Sequence, residues 1–350
     1  MEQHLIPHSA TLLDALEALN RLSGAAMTLF VISDTNHVQG TLTDGDVRRA
    51  LLRGCTLSDS VSAAAHTDFK ALRRGRPDVA LIRSCRLKGI TLLPVLDDAG
   101  TLCDIIDLRT THTLLPLSAI VMAGGKGERL RPLTLDTPKP LLQIGGKAII
   151  DYNIEALAAC GITDITVTTR YLAHMIADHF ARPVAGVQVR CVEETAPLGT
   201  IGAATLVEHA PGGATLVMNS DLLTTISFEE MYMRHVATGA AVTIAVVPYQ
   251  VSVPFAILSI DDADHVTGLQ EKPSYSYYAN AGIYIFDNAV LDTLPAGEHT
   301  DAPDLVEQAI AAGLTVTYYP INGTWIDIGS PTDFRQATEL MRQVNAMHRR

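Results

Sequence analysis

From residue 118 onward the chain keeps repeating one alternation: a short, largely apolar run, then a segment with helical spacing. The runs SAIVMA (118–123), ITDITVTT (162–169), VQVRCV (187–192), ATLVMN (214–219) and AVTIAVV (241–247) read as strands. Helices are predicted around 151–159 and 172–180, from about 200, and near 228–237. Strands that are apolar on both faces need cover on both faces, and intervening helices supply it. The prediction is an α/β fold with a doubly wound, mostly parallel sheet. Ligands of such sheets bind beyond the carboxyl ends of the strands.

The first 115 residues follow a different plan, written twice. Leu12, Leu16 and Leu19 share one helical face. TLFVISDTNHVQGTLTD then reads as strand, turn at 34–36 and strand, and DVRRALLRG closes with a helix ending at Gly54. Shifted by 64 residues, TLLPVLDDAGTLCDIID repeats the strand, turn and strand. Two copies predict a small pseudo-symmetric domain, since a solenoid needs about three or more. The boundaries expected are 1–115, with repeats at about 6–54 and 57–110, and 116–350 for the larger domain; TTHTLLP (110–116) is the linker.

Charge divides at the same place. The first 115 residues hold 12 basic and 13 acidic side chains, the rest 14 and 25. A formal charge of −12 argues against nucleic acid as partner, because phosphate backbones call for clustered Lys and Arg. No apolar run reaches the roughly 18 residues of a membrane helix. The start of the chain lacks the basic, unbroken apolar character of a signal peptide. The five cysteines are odd in number and lack a C-x-x-C pair, so buried thiols in a reducing cytoplasm are expected.

The chemistry concentrates in AGGKGERLRPLTLDTPKPLL (123–142), directly after the first strand. Gly124, Gly125 and Gly127 free the backbone to turn and to offer N–H donors to phosphate. Lys126, Arg129, Arg131 and Lys139 are four cations in an otherwise acidic module. The string is not a P-loop, and Pro132, Pro138 and Pro140 forbid the helix that a dinucleotide fingerprint opens.

Two resemblances follow from these residues. The first 115 residues resemble a CBS pair, a small α/β domain. There, Gly40, Thr43 and Asp46 match a pattern that implies contacts to an adenine nucleotide, Thr43 to phosphate and Asp46 to ribose. The second copy departs, with Asp104, Asp107 and Thr110. Thr43 and Asp46 equally suit a cap on the helix starting near Val47.

The larger domain resembles the sugar-1-phosphate nucleotidyltransferases, with a Rossmann-like fold. The motifs run in order: GGKGERLRPLT and PKPLL, PLGTIGAA (197–204), NSD (219–221), EKP (271–273), NAGIYIF (280–286) and WIDIGSPTDF (325–334). The resemblance implies attack of a sugar-1-phosphate oxygen on the α-phosphorus of a nucleoside triphosphate, with release of pyrophosphate. Two anions must meet, so cations and a metal matter more than a covalent nucleophile. It implies that Arg129 grips the triphosphate, that Lys139 neutralises the α-phosphate, and that Asp221 and Asp327 hold Mg²⁺. It further implies nucleotide contacts at Ala123, Gly124, Gly125, Glu194 and Gly199, and sugar-phosphate contacts at Glu271, Lys272 and Asn280.

Against the family pattern, Glu128 adds an acid to the phosphate loop, Ser220 and Ile201 replace common small residues, and Ala256 replaces a Gly near the sugar. Glu194, with Glu193 beside it, suggests GTP: one carboxylate accepts both N1–H and N2–H₂ of guanine. UTP or dTTP remains the alternative, as does a catalytically silent nucleotide or nucleotide-sugar sensor. A CBS pair ahead of a guanylyltransferase resembles the glucosamine-1-phosphate guanylyltransferases of legionaminic acid synthesis, which implies an amino sugar; mannose-1-phosphate and heptose phosphates stay open. The CBS pair is expected to regulate or to oligomerise, and a homo-oligomer is expected. Tyr275, Tyr277 and Tyr278 are expected in a loop between two motifs.

Overall fold

Apolar runs bounded by capping residues become the elements of two compact units, one of residues 1–116 with 159–161, the other of 117–158 with 162–350. The computed structural model describes residues 2–22, 26–111 and 113–348. Among them, no helix is long and apolar enough to cross a membrane.

In the first unit, β1 (Leu5–Pro7), α1 (Leu12–Arg21), β2 (Thr28–Ile32), β3 (Val38–Thr43) and α2 (Asp44–Leu52) precede β4 (Leu72–Arg73), α3 (Val79–Leu87), β5 (Leu92–Leu96) and β6 (Leu102–Asp107). The order β1-β2-β3 is matched by β4-β5-β6, and in each sheet the first pairing is parallel and the second antiparallel. Even the irregularities repeat. The register slips at Val31/Ile32 and again at Val95/Leu96, positions related by the 64-residue shift of the sequence. Leu12, Leu19, Leu29, Leu42 and Val47 close one small core; Leu72, Ile82 and Leu93 close the other.

The second unit begins with β7 (Leu117–Ala123), the hairpin of β8 (Gln143–Ile144) and β9 (Lys147–Ala148), then α4 (Ile149–Ala159). It continues through β10 (Ile165–Thr169), α5 (Ala173–His179), β11 (Arg190–Glu193), β12 (Ala214–Asn219), β13 (Leu222–Thr224) and α6 (Phe228–Thr238). After β14 (Val242–Ser252) come β15 (Ile257–Ile260), β16 (Val266–Gln270), β17 (Ser274–Asp287), α7 (Asn288–Leu291) and α8 (Ala302–Ala311). β18 (Val316–Pro320), β19 (Trp325–Asp327) and α9 (Pro331–His348) end it.

Seven strands form one sheet in the order β11-β10-β7-β12-β17-β14-β18, parallel throughout except for β17, which runs against both neighbours. The doubly wound, mostly parallel prediction therefore holds. Ile120, Val217, Val242 and Phe286 pack from the sheet against Leu291, Leu305 and Val306 of the covering helices.

Two local expectations are corrected. The helix expected from about 200 is only a 3₁₀ stretch, Gly202–Leu206, because the chain before it is tied to residues 300–302 rather than to itself. The tyrosines expected in a loop lie in β17, where Tyr278, Tyr277 and Tyr275 pair with Pro248, Tyr249 and Val251.

His235 on α6 is buried, 2.8 Å from the Thr243 hydroxyl and 3.2 Å from the Asp287 carboxylate. A neutral ring protonated on Nε2 satisfies both contacts. Burial holds its pKa below the ordinary value, against the pull of Asp287. As pH falls, the unfolded imidazole takes up its proton first, so this contribution is complete above about pH 6.5 and lost below it. The stability difference between parent and His235→Gln should therefore shrink on going from pH 7.5 to 5.5, measured by urea unfolding; a constant difference would contradict the neutral buried ring.

Candidate active site

A hollow of about 600 Å³ opens beyond the carboxyl ends of β7, β10, β11 and β12. The glycine-rich loop leaves β7 there. Gly127 takes a left-handed conformation (φ 61°), and a side chain on it would meet Thr134 at 3.0 Å and Lys139 at 3.1 Å. The Thr134 hydroxyl donates to the Gly127 carbonyl, and the Tyr171 hydroxyl reaches the carbonyls of Thr134 and Leu135. In place of a helix, the prolines leave two single 3₁₀ turns, Glu128–Leu130 and Lys139–Leu141. Leu130 is buried against Ile326 and Ile328, which fixes the neighbouring Arg129 at the mouth of the hollow.

Four of the predicted residues converge here. β13 pairs antiparallel with β19 so that Leu222 faces Asp327, and the Ile328 N–H donates to the Asp221 carbonyl at 3.1 Å. Two carboxylates 106 positions apart in sequence become neighbours. Lys139 forms an ion pair with Asp221 Oδ2, while Asp221 Oδ1 is buried without a hydrogen-bond partner. The Arg129 guanidinium and the Asp327 carboxylate both flank Gly329, within 3.8 Å of where its side chain would begin. Burial, and then the Asp221 charge, push the Asp327 carboxyl above its usual range; Lys139 and Arg129 pull it back. Asn153 of α4 donates to the Ser220 carbonyl and steadies the turn that presents Asp221.

This pair of carboxylates, one with a bare buried oxygen, fits a hard divalent cation. Among the described residues no group of three or more His, Cys, Asp or Glu could hold a metal alone. A cation bound here would take its remaining ligands from substrate phosphates and water, as Mg²⁺ commonly does.

Between Glu193 and Glu194 the fold decides. Glu193 is exposed, whereas Glu194 is 5% exposed and lines the hollow. Its carboxylate lies over Gly124, where a side chain would come 2.5 Å from Oε1 and would have to displace it. Burial raises the Glu194 pKa; the Leu198 N–H, the Arg170 charge and the Thr168 hydroxyl oppose it. Arg170 was not singled out in the sequence, although its place just past the end of β10 was the signal. Ala123, Gly125 and Gly199 line the same hollow. Glu128, the added acid, lies 3.6 Å from Arg131, so its charge is partly met within the loop.

A second hollow of about 380 Å³ shares Thr200, Asn219 and Asp301 with the first and adds Asn280, Trp325 and Asp327. The Asn280 amide donates to the Tyr284 hydroxyl and accepts from the Gly282 N–H. Asp301, also missed in the sequence, accepts from both the N–H and the hydroxyl of Thr200, which joins the two walls. Its signal was weak: an Asp before a helix reads first as a cap. Glu271 and Lys272 sit exposed between β16 and β17, and Ala256 is exposed before β15; none of the three lines either hollow.

In the first unit Thr43 and Asp46 are occupied with each other. Their backbone and side-chain bonds form a capping box on α2, the same device that Thr11 and Asp14 form on α1. Asp46 also holds Arg49 at 2.6 Å. Of the two roles expected for this pair, the capping one is thus present. A cavity of about 680 Å³ lies beside the second repeat, with Arg73, Arg74 and Asp104 on its wall.

The CBS domain pattern matches residues 4–53. A protein of Oryza sativa subsp. japonica named "Probable mannose-1-phosphate guanylyltransferase 1" is 32% identical over 227 residues, covering 62% of this chain and 63% of that one. The mannose-1-phosphate guanyltransferase of Kluyveromyces lactis is 32% identical over 237 residues, covering 64% of each chain. The chain thus spans just under two thirds of the length of these relatives. In fold, HddC from Yersinia pseudotuberculosis is similar over 64% of this chain and 98% of its own, with 24% identity and a TM-score of 0.50. The Nucleotidyl transferase pattern matches residues 118–344, the whole stretch that carries the glycine-rich loop, both carboxylates and Glu194, and on that match the chain belongs to the nucleotidyl transferase family.

Proposed function

We propose that the second unit is a Mg²⁺-dependent sugar-1-phosphate nucleotidyltransferase that uses GTP. An oxygen of the sugar phosphate attacks the α-phosphorus, the bond to the β-phosphate oxygen breaks, and pyrophosphate leaves. The observation that carries this reading is the convergence of Arg129, Lys139 and Asp221 on one hollow, with Asp327 of the adjoining hollow brought beside them by the β13–β19 pairing. Arg129 would hold the triphosphate and the departing pyrophosphate, and Lys139 would exchange its partner Asp221 for the α-phosphate. The metal, held by Asp221 and Asp327, would supply charge neutralisation at the phosphoryl oxygens. Holding both substrates in line is worth up to about 7–11 kcal/mol of barrier. The retained set of charges argues against a silent sensor.

The second hollow would take the acceptor sugar, with Asn280 and Asp301 facing its hydroxyl or amino groups. Mannose-1-phosphate, named in the relatives, and glucosamine-1-phosphate are the two acceptors to compare first. In the other unit, the cavity beside Arg73 and Arg74 is the place we propose for an adenine nucleotide that regulates the enzyme.

Guanine selection rests on Glu194. A matrix of GTP, UTP, dTTP, CTP and ATP against sugar-1-phosphates, read as pyrophosphate release, tests it. GTP should be preferred, and Glu194→Gln should lower the GTP-to-UTP ratio of kcat/KM by about 10–100-fold, the worth of one bidentate base contact. A parent that prefers UTP or dTTP would end the guanine reading and leave the enzyme class standing.

A further inference from the structure

β14 and β17 outrun the sheet they belong to. β18 pairs with β14 only over Val242–Val246, and β12 pairs with β17 only from Ile283. Beyond these limits the two continue as a free antiparallel ribbon from Pro248↔Tyr278 to Ser252↔Ser274. Residues directly opposite one another share a face. One face of the ribbon is Tyr249, Tyr277, Val251 and Tyr275; the other is Gln250, Ser252, Ser274 and Ser276 with Pro248 and Tyr278.

The neighbouring hairpin β15–β16 is divided in the same way. Leu258 faces Leu269 and Ile260 faces Val266, whereas the other face has Ser259 opposite Gly268 and Ile257 opposite Gln270. The bulge between Ser259 and Ile260 keeps the four apolar residues in phase. These eight side chains are between 37% and 65% exposed. An alternating strand normally buries its apolar face and wets its polar one. Here both apolar faces are left bare.

We propose that a second copy of this chain covers these two ribbons with the same two ribbons of its own, about a two-fold axis. The eight side chains carry no charge, so an apolar partner suits them. Together with Phe255, they offer roughly 800 Å² of apolar surface per copy, about what each side of a standard-sized interface buries. Exposed patches of several hundred Å² on soluble domains mark interaction sites. Asp261, Asp262 and Asp264 at the tip of the second hairpin would repel their own copies, and an antiparallel two-fold pairing sets the tips apart. The ribbon is continuous with the part of β17 that presents Asn280, so pairing would brace one wall of the second hollow.

Sedimentation velocity of the full chain at micromolar concentration tests this. The parent should sediment as an even multiple of the chain mass, and Tyr277→Glu or Leu269→Glu should halve that mass. Gln250→Glu, on the opposite face of the ribbon, should leave it unchanged. Where a glutamate variant melts early, the double variant Tyr249→Ser/Tyr277→Ser removes apolar area without adding charge and should give the same halving. A monomeric parent, an unchanged mass in the face variants, or an equal effect of Gln250→Glu would overturn the proposal.

Discussion

Replacing Asp221 by asparagine is expected to lower kcat/KM about 10³-fold, equivalent to about 4 kcal/mol of transition-state stabilisation. Asparagine keeps the shape of the side chain and can still accept from Lys139. It removes the charge that, with Asp327, makes the hollow a place for a divalent cation. The buried Oδ1 has no hydrogen-bond partner, so the fold uses that atom for nothing else and the cost should fall on chemistry. Pyrophosphate release followed against Mg²⁺ concentration should show the half-saturating Mg²⁺ rising at least about tenfold. Asp262→Asn, at the exposed hairpin tip, should change neither quantity. Activity within tenfold of the parent would remove Asp221 from the proposed metal pair.

Gly199→Ala should act through the backbone. Gly199 has φ +80°, a conformation that costs any other residue roughly 1–2 kcal/mol. A methyl group there would also press on the Thr300 carbonyl, lying 2.8 Å from its carbon. That carbonyl cannot yield freely, since it accepts from the N–H groups of Ile201 and Gly202, while the Thr300 N–H donates to Leu198. The clamp continues in Thr200, which donates to Asp301 and accepts from the Ala302 N–H. Strain and clash together should cost about 3 kcal/mol and lower the Tm by about 6–12 °C. Activity should fall as well, because Leu198 and Thr200 wall the first hollow. Gly125 is the contrast. It lines the same hollow, yet a side chain there meets nothing within 4 Å and the backbone is not left-handed. Gly125→Ala should leave the Tm nearly unchanged and raise the KM for the nucleotide. Equal melting of the two variants would contradict the clamp.

What could be read along the chain was whatever depends on near neighbours. Two-sided apolar runs announced the sheet, and the strands came where the runs stood. The 64-residue repeat survived down to matching slips in register. The glycine and proline spacing after β7 forbade a helix, and two short turns stand there instead. The tyrosines of SYSYY misled because the serines between them resemble loop composition, whereas a two-stranded ribbon tolerates a polar face. Thr43 and Asp46 were ambiguous in principle: the same two groups can serve a helix end or a ligand, and only their actual partners tell which.

By itself, then, the sequence determined the elements, the order of the motifs and the stock of charges, because propensity and turn chemistry act over a few residues. Tertiary structure alone decided which charges meet. The β13–β19 pairing brought Asp221 beside Asp327, burial chose Glu194 over Glu193, and Asp301 became the join between two hollows. Coulomb energy and desolvation depend on distance and exposure in space, and neither is written in the spacing along a chain.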